Sequence, residues 1–241
     1  MNMNCYSQED ILILRTFIIG DVHGCDEQLK KILRKLQPDS ETDRIIMLGD
    51  LFDRGPDSWG VFQTVQELAD VYGDRFILLR GNHEDYLLRR DMSFMDNLIW
   101  IRVGKRDTVK SFSRHGEKME ETIPWLTEHT VLYYKAELFQ CVHAGIKVEP
   151  IEANDNYTLV HDHSVVTQNV YHGFLTITGH IALEKPYWFS GDGKNAEEIP
   201  YGRHRPLPGY GVICIDTGCG KGGKLTAMVV EDGYYTLFNS V

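Results

Sequence analysis

Six residues able to offer oxygen or nitrogen to a cation recur in similar surroundings along this chain. Asp21 and His23 stand two apart in Gly-Asp-Val-His-Gly, Asp50 follows Gly49, and Asn82 follows Gly81. His143 and His180 complete the set, in Val-His-Ala-Gly and Thr-Gly-His. Carboxylate, imidazole and amide donors without thiolates suit manganese, iron or zinc in a catalytic site better than calcium or a structural zinc. One carboxylate can bridge two ions about 3.5–4 Å apart, the spacing of two-metal hydrolytic sites, and Asp50, central in the series, is the candidate bridge. Any one of these residues alone reads more readily as a helix cap, a turn residue or a packed histidine. Six of them, each beside a glycine or one residue from it, are not independent accidents.

Such chemistry needs elements that bring the six together. Apolar runs at 16–19, 45–48 and 76–79 read as strands, and 26–36 and 61–71 as amphipathic helices between them, the first with Leu29, Ile32, Leu33 and Leu36 on one face. That alternation predicts parallel strands joined by right-handed crossovers, an α/β arrangement. Each strand ends at a glycine followed by Asp21, Asp50 or Asn82, and loops beyond the carboxyl ends of parallel strands are where such sheets bind ligands. About 85–128 reads as a mainly helical insertion. The remainder reads mostly as strand: 131–134, 138–142, 175–178, 212–215, 225–230 and, after the Asp232-Gly233 turn, 234–238. Residues 184–211, rich in proline and glycine, read as a long surface excursion.

Composition narrows the classes. A chain of 241 residues, 42% hydrophobic and 25% charged, has ordinary globular make-up, which excludes disorder, collagen and coiled coil. A net charge of −10 argues against a general binder of nucleic-acid backbones. Cys5, Cys25, Cys141, Cys214 and Cys219 form an odd set without a CxxC pair, so neither a zinc knuckle nor a full disulfide framework is expected, and a reducing cytoplasm fits. The apolar stretch 11–19 is interrupted by Arg15, too short for a bilayer and without a basic leader, so no membrane span or signal peptide is expected. One domain over 1–241 is the reading.

Gly-Asp-Val-His-Gly (20–24), Gly-Asp-Leu-Phe-Asp-Arg-Gly (49–55) and Gly-Asn-His-Glu (81–84) resemble the three signature motifs of the PPP-type, calcineurin-like metallophosphoesterases in their bacterial and phage form. Val-His-Ala-Gly (142–145), Thr-Gly-His (178–180) and Asp-Thr-Gly-Cys (216–219) extend the resemblance over about 16–238. It implies two packed mixed β-sheets flanked by helices in four layers, with a dinuclear site at the strand carboxyl ends. It implies that Asp21 and His23 hold one divalent ion, manganese with iron or zinc as alternatives. Asn82, His143 and His180 would hold the other, and Asp50 would bridge them. It further implies His83 as general acid, oriented by Asp53, and Arg54 as phosphate ligand, with a hydroxide activated by both metals as nucleophile. An Asp–His pair fixes tautomer and direction, and a planar guanidinium can bind two phosphate oxygens.

The substrate expected is a phosphoester, with serine or threonine phosphoprotein preferred to a small phosphoester. Asp53 favours the phosphatase branch, because in the related symmetrical diadenosine tetraphosphatases of enterobacterial type the residue before the arginine is usually not Asp. Dinucleoside polyphosphate hydrolysis is the alternative. A catalytically weak phosphate-binding regulator is a further one, motivated by a missing arginine: the family supplies a second phosphate ligand between the two later histidines, yet 148–179 contains neither Arg nor Lys. Arg203 and Arg205 are the candidate substitutes, if the 184–211 excursion folds over the site. His161, His163 and His172 read as loop or surface histidines, and Cys25 as a small packing residue.

Overall fold

Apolar runs covered on both faces form the strands here, and amphipathic stripes form the helices that cover them. The computed structural model describes residues 15–241; Cys5 and the start of the apolar stretch 11–19 lie outside them. The chain opens with β1 (Thr16–Ile19), α1 (Asp26–Leu36), β2 (Arg44–Met47), α2 (Ser58–Tyr72) and β3 (Phe76–Leu79). Four helices follow, α3 (Asn82–Leu88), α4 (Phe94–Trp100), α5 (Arg106–Arg114) and α6 (Ile123–His129). Next come β4 (Thr130–Val131), β5 (Tyr133–Lys135) and β6 (Gln140–Val142), then the short helices α7 (Asn156–His161) and α8 (Ser164–Thr167). The chain closes with β7 (Thr176–Thr178), β8 (Tyr187–Phe189), β9 (Ala196–Glu198), β10 (Arg205–Pro206), β11 (Val212–Cys214), β12 (Thr226–Glu231) and β13 (Tyr234–Asn239).

Two mixed sheets result. The first has seven strands in the order β10-β13-β12-β1-β2-β3-β4, with β1 to β4 parallel, as the β-α-β-α-β pattern predicts. The second has six in the order β5-β6-β7-β11-β8-β9, with β6, β7 and β11 parallel. Ile18, Ile46 and Met228 of the first sheet pack against Cys141, Ile177 and Ile213 of the second. Phe17, Ile19, Ile45 and Met47 point the other way, under Leu29 and Ile32 of α1 and Val61 and Val65 of α2. On the outer face of the second sheet, Val142, Val212 and Cys214 meet Leu159, Val160 and Val165 of α7 and α8. The four-layer order of helices, sheet, sheet and helices is the one expected. Each fully buried Ile or Val contributes about 1.5–3 kcal/mol, so this layering dominates stability.

Two expectations need correction. The run 131–134 is not one strand: Val131 pairs with Leu79 in the first sheet and Tyr133 with Val142 in the second, so the chain changes sheets at Leu132. The segment 184–211 is not a free excursion, since it contains β8, β9 and β10. Trp188 sits opposite Ile213, and Pro206 lies in the edge strand β10, where its missing N–H disturbs no central ladder. Among the described residues no helix is long and apolar enough to cross a membrane.

Candidate active site

The parallel strands deliver their candidate ligands at one end of the sandwich. Asp21 and His23 follow β1, Asp50 follows β2, and Asn82 opens α3 after β3. From the second sheet, His143 follows β6 and His180 follows β7. Asp21, His23, Asp50 and His143 are all at most 2% exposed. Among the described residues eight non-glycine residues have positive φ, and five of them are His23, Asp50, Asp53, Arg54 and His180. Left-handed backbone in ordinary residues is costly and persists where surrounding contacts enforce it, a concentration typical of functional sites. Gly81 shows the same crowding: a Cβ there would collide with the Asp50 carboxylate.

Donor atoms of His23, Asp50 and His83 lie within 4.8 Å of one another, as do those of Asp50, His143 and His180. Asp50 is common to both groups, with Oδ2 3.4 Å from His23 Nε2 and Oδ1 3.4 Å from His143 Nε2. His23 Nδ1 donates to the Phe52 carbonyl at 2.8 Å and His143 Nδ1 to the Leu48 carbonyl at 2.7 Å. Both bonds fix the tautomer and leave the Nε2 lone pair facing inward, the arrangement that metal-ligating imidazoles use. His143 Nε2 then meets Asn82 Oδ1 at 3.2 Å, acceptor against acceptor, while His180 Nδ1 donates to that oxygen at 2.8 Å.

Residues and divalent cations fit each other on these observations. Asp21 Oδ1, His180 Nε2 and Asp216 Oδ2 are buried without any hydrogen-bond partner among the described residues. Burial, then the nearby Asp216 and Asp50 charges, pushes the Asp21 carboxyl well up, and burial raises Asp216 as well. Excess buried negative charge of this kind is what bound cations neutralise. Burial holds His23 well below the usual imidazole range and, with His143 beside it, takes His180 down to about 2; both are therefore neutral, as ligands must be.

His83 differs. Burial would lower its imidazole, but the Asp50 and Asp53 carboxylates outweigh that and raise it. His83 Nδ1 donates to Asp53 Oδ2 at 2.5 Å, and its buried Nε2 has no hydrogen-bond partner among the described residues. Asp53, fully buried, also accepts from Trp100 Nε1 at 2.7 Å and Thr108 Oγ1 at 2.6 Å. Helices α4 and α5 thus lock the Asp–His pair. Arg54, next in sequence, lays its guanidinium against His23 Nε2.

A cavity of about 440 Å³ opens over this cluster, lined by Arg54, Asn82, His83 and His180 together with Tyr86, Tyr157, His161, His163 and Lys221. Arg203 and Arg205 are not brought there, which corrects that expectation. Arg205 is held by Glu197 at 2.5 Å on the outer edge of the first sheet and lines a different cavity with Trp188 and Pro206. Arg203 is exposed in the turn before it. The reading of His161 as a loop or surface residue also needs correction: it is buried in α7, 2.8 Å from Asp85 Oδ2, whereas His163 is exposed in the following loop, as expected, with its ring edge-on to His180 at 4.6 Å. Cys25 is buried, as expected of a packing residue.

Sequence reasoning missed three residues. Glu84, within the quoted Gly-Asn-His-Glu, accepts from the backbone N–H groups of Asp50 at 2.8 Å, Leu51 at 2.9 Å and Gly81 at 3.1 Å. It ties the loops after β2 and β3 together, and burial beside Asp50 pushes its carboxyl up to about 7. Glu84→Ala would leave three buried donors unpaired at about 1–3 kcal/mol each. A destabilisation of at least about 3 kcal/mol is expected, read as the shift of the urea unfolding midpoint. Asp216 and Lys221 are the other two: the motif around Asp216 names no role for it, and the one signal for Lys221 is the Gly-rich run 218–223 that contains it.

The sequence profile of the family described as calcineurin-like phosphoesterase matches residues 14–214. The chain is 28% identical over 275 residues to the symmetrical bis(5'-nucleosyl)-tetraphosphatase of Klebsiella pneumoniae strain 342, covering 92% of this chain and 93% of that one. In fold it is similar to a metallophosphoesterase from Sphaerobacter thermophilus, with a TM-score of 0.64 at 16% identity over 94% of this chain and 87% of that one. It is also similar to a cold-active protein-tyrosine phosphatase from a psychrophilic Shewanella, with a TM-score of 0.62 at 16% identity over 98% and 85%. With a buried His/Asp cluster that fits divalent cations at the end of this sandwich, the chain belongs to the calcineurin-like phosphoesterase family and is a metal-dependent phosphoester hydrolase.

Proposed function

We propose that this hydrolase cleaves dinucleoside polyphosphates of the diadenosine tetraphosphate kind. The observation that carries the reading is end-to-end similarity to a symmetrical bis(5'-nucleosyl)-tetraphosphatase, with more than nine-tenths of both chains aligned. This reverses the weighting toward phosphoproteins. That preference rested on Asp53, and Asp53 is fully buried with its oxygens taken by His83, Trp100 and Thr108. A residue with no path to the substrate positions the acid and does not choose what is cleaved.

In this reading Asp21, His23, Asp50, Asn82, His143 and His180 hold two divalent cations. Bound there, such ions supply Lewis acidity toward phosphoryl oxygens and lower the pKa of water. Arg54 grips the phosphate under attack with a fixed, permanently charged fork. His83 keeps a proton on Nε2 for the departing oxygen, while Asp53 holds Nδ1 and so the direction of the ring. The buried floor excludes bulk water and strengthens each of these interactions.

Turnover of diadenosine tetraphosphate and of a phosphothreonine peptide, measured side by side with manganese, tests the reading. A kcat/KM at least about a hundredfold higher on the dinucleotide is expected, roughly 3 kcal/mol of transition-state preference, with ADP as the sole product of symmetrical cleavage. Higher kcat/KM on the peptide would return the protein to the phosphoprotein reading.

A further inference from the structure

The cleft holds two features that hydrolysis of a bare phosphate does not require. Arg54 and Lys221 are the only Arg or Lys side chains among its lining residues. Lys221 comes from the turn Cys219–Lys221, and Gly220 presses that turn onto the site so closely that a Cβ would collide with His23 and crowd Arg54. Lys221 is exposed and its ammonium has no ion pair or hydrogen bond among the described residues, whereas Arg89 near the same cleft is already tied to Asp85 and His161. Lys221 and Arg54 line the same cleft, which thus has a second positive charge where 148–179 offers none.

The other feature is aromatic. Tyr157 lines the cleft yet is 65% exposed, and its ring stacks on His161 at 5.2 Å and 18°. His161 is anchored by Asp85, and α7 is capped by Asp155, whose carboxylate accepts from the Thr158 N–H at 2.7 Å, with Leu159 and Val160 in the core beneath. An exposed, pre-oriented ring on a rigid support is a surface for stacking a planar base, and every base offers a π-face.

We infer that the cleft is a nucleotide subsite in which Lys221 binds a phosphate next to the one held by Arg54 and Tyr157 stacks the nucleobase. This rests on the dinucleoside polyphosphate reading and assigns the residues that hold one nucleoside half.

The test separates the two ideas by using a small aryl phosphate as reporter substrate. Inhibition constants of ADP, inorganic tripolyphosphate and inorganic phosphate are measured against its turnover in the metal-loaded protein. Tyr157→Ala is expected to raise the ADP constant about tenfold or more while the tripolyphosphate and phosphate constants move less than twofold. Lys221→Ala is expected to raise the ADP and tripolyphosphate constants together, about tenfold or more, and Lys221→Arg to restore them. Both side chains are exposed, so melting temperatures should not move. An unchanged ADP constant in Tyr157→Ala overturns the base platform, and one in Lys221→Ala overturns the phosphate contact. Failure of the wild type to cleave diadenosine tetraphosphate would remove the substrate reading while these constants still judge the subsite.

Discussion

Replacing Asp50 by Asn is expected to reduce turnover at least about a thousandfold while the protein stays folded, roughly 4 kcal/mol of lost transition-state stabilisation. Asp50 is the one carboxylate shared by both donor groups, 1% exposed, with three imidazole nitrogens at 3.4, 3.4 and 3.8 Å from its oxygens. Its carboxyl is held far below the usual range despite burial, so it carries its full charge at the centre of the site. Asn keeps the shape and one oxygen but removes that charge, and it turns one donor atom into an NH₂ that cannot ligate. The loop itself should persist, because the Asp50 carbonyl accepts from the N–H groups of Val22 and His23 and its own N–H donates to Glu84. Bound metal counted by mass spectrometry and the rise in melting temperature on adding manganese should both fall in the variant. Normal activity with two ions per chain would sink the assignment of Asp50 as the shared ligand.

What the sequence disclosed and what it hid divide along a physical line. Asp21, Asp50 and Asn82 were legible because each follows directly on a short apolar strand, and the backbone alone carries such residues to one edge. His143 and His180 were legible as strand-end residues too, though only packing of the second sheet on the first brings them to Asp50. The departure of the chain from one sheet to the other at Leu132 was not, since an apolar run reads alike whichever sheet pairs it. The placement of Lys221, the Asp85 anchor of His161, and the Trp100 and Thr108 donors to Asp53 depend on contacts between loops and helices far apart in the chain. No local periodicity encodes such contacts. Arg203 and Arg205 erred for the same reason in reverse: composition suggested a free loop, but strand pairing at β8, β9 and β10 fixes it elsewhere.

His83→Asn is expected to lower kcat about 10²- to 10⁴-fold on a phosphate ester with a poor, alkoxide-type leaving group, while KM changes less than about threefold. The reasoning is geometric first. Asp53 accepts a hydrogen bond from His83 Nδ1, Trp100 and Thr108 hold Asp53, and Nε2 is left buried beside Asp50 without a partner among the described residues. A group so placed matters in proportion to how badly the departing oxygen needs a proton. The loss should therefore shrink to about tenfold or less on a nitrophenyl phosphate, whose leaving group departs as a stable anion. The β-phosphate of ADP is also a stable anion, so a dinucleoside polyphosphate should sit near the nitrophenyl ester and a phosphothreonine peptide near the alkyl one. The ratio of the His83→Asn losses across these substrates thus measures proton donation itself. An equal loss on all of them, or a raised KM with normal kcat, would make His83 a ligand or a binding residue and leave leaving-group protonation to another source.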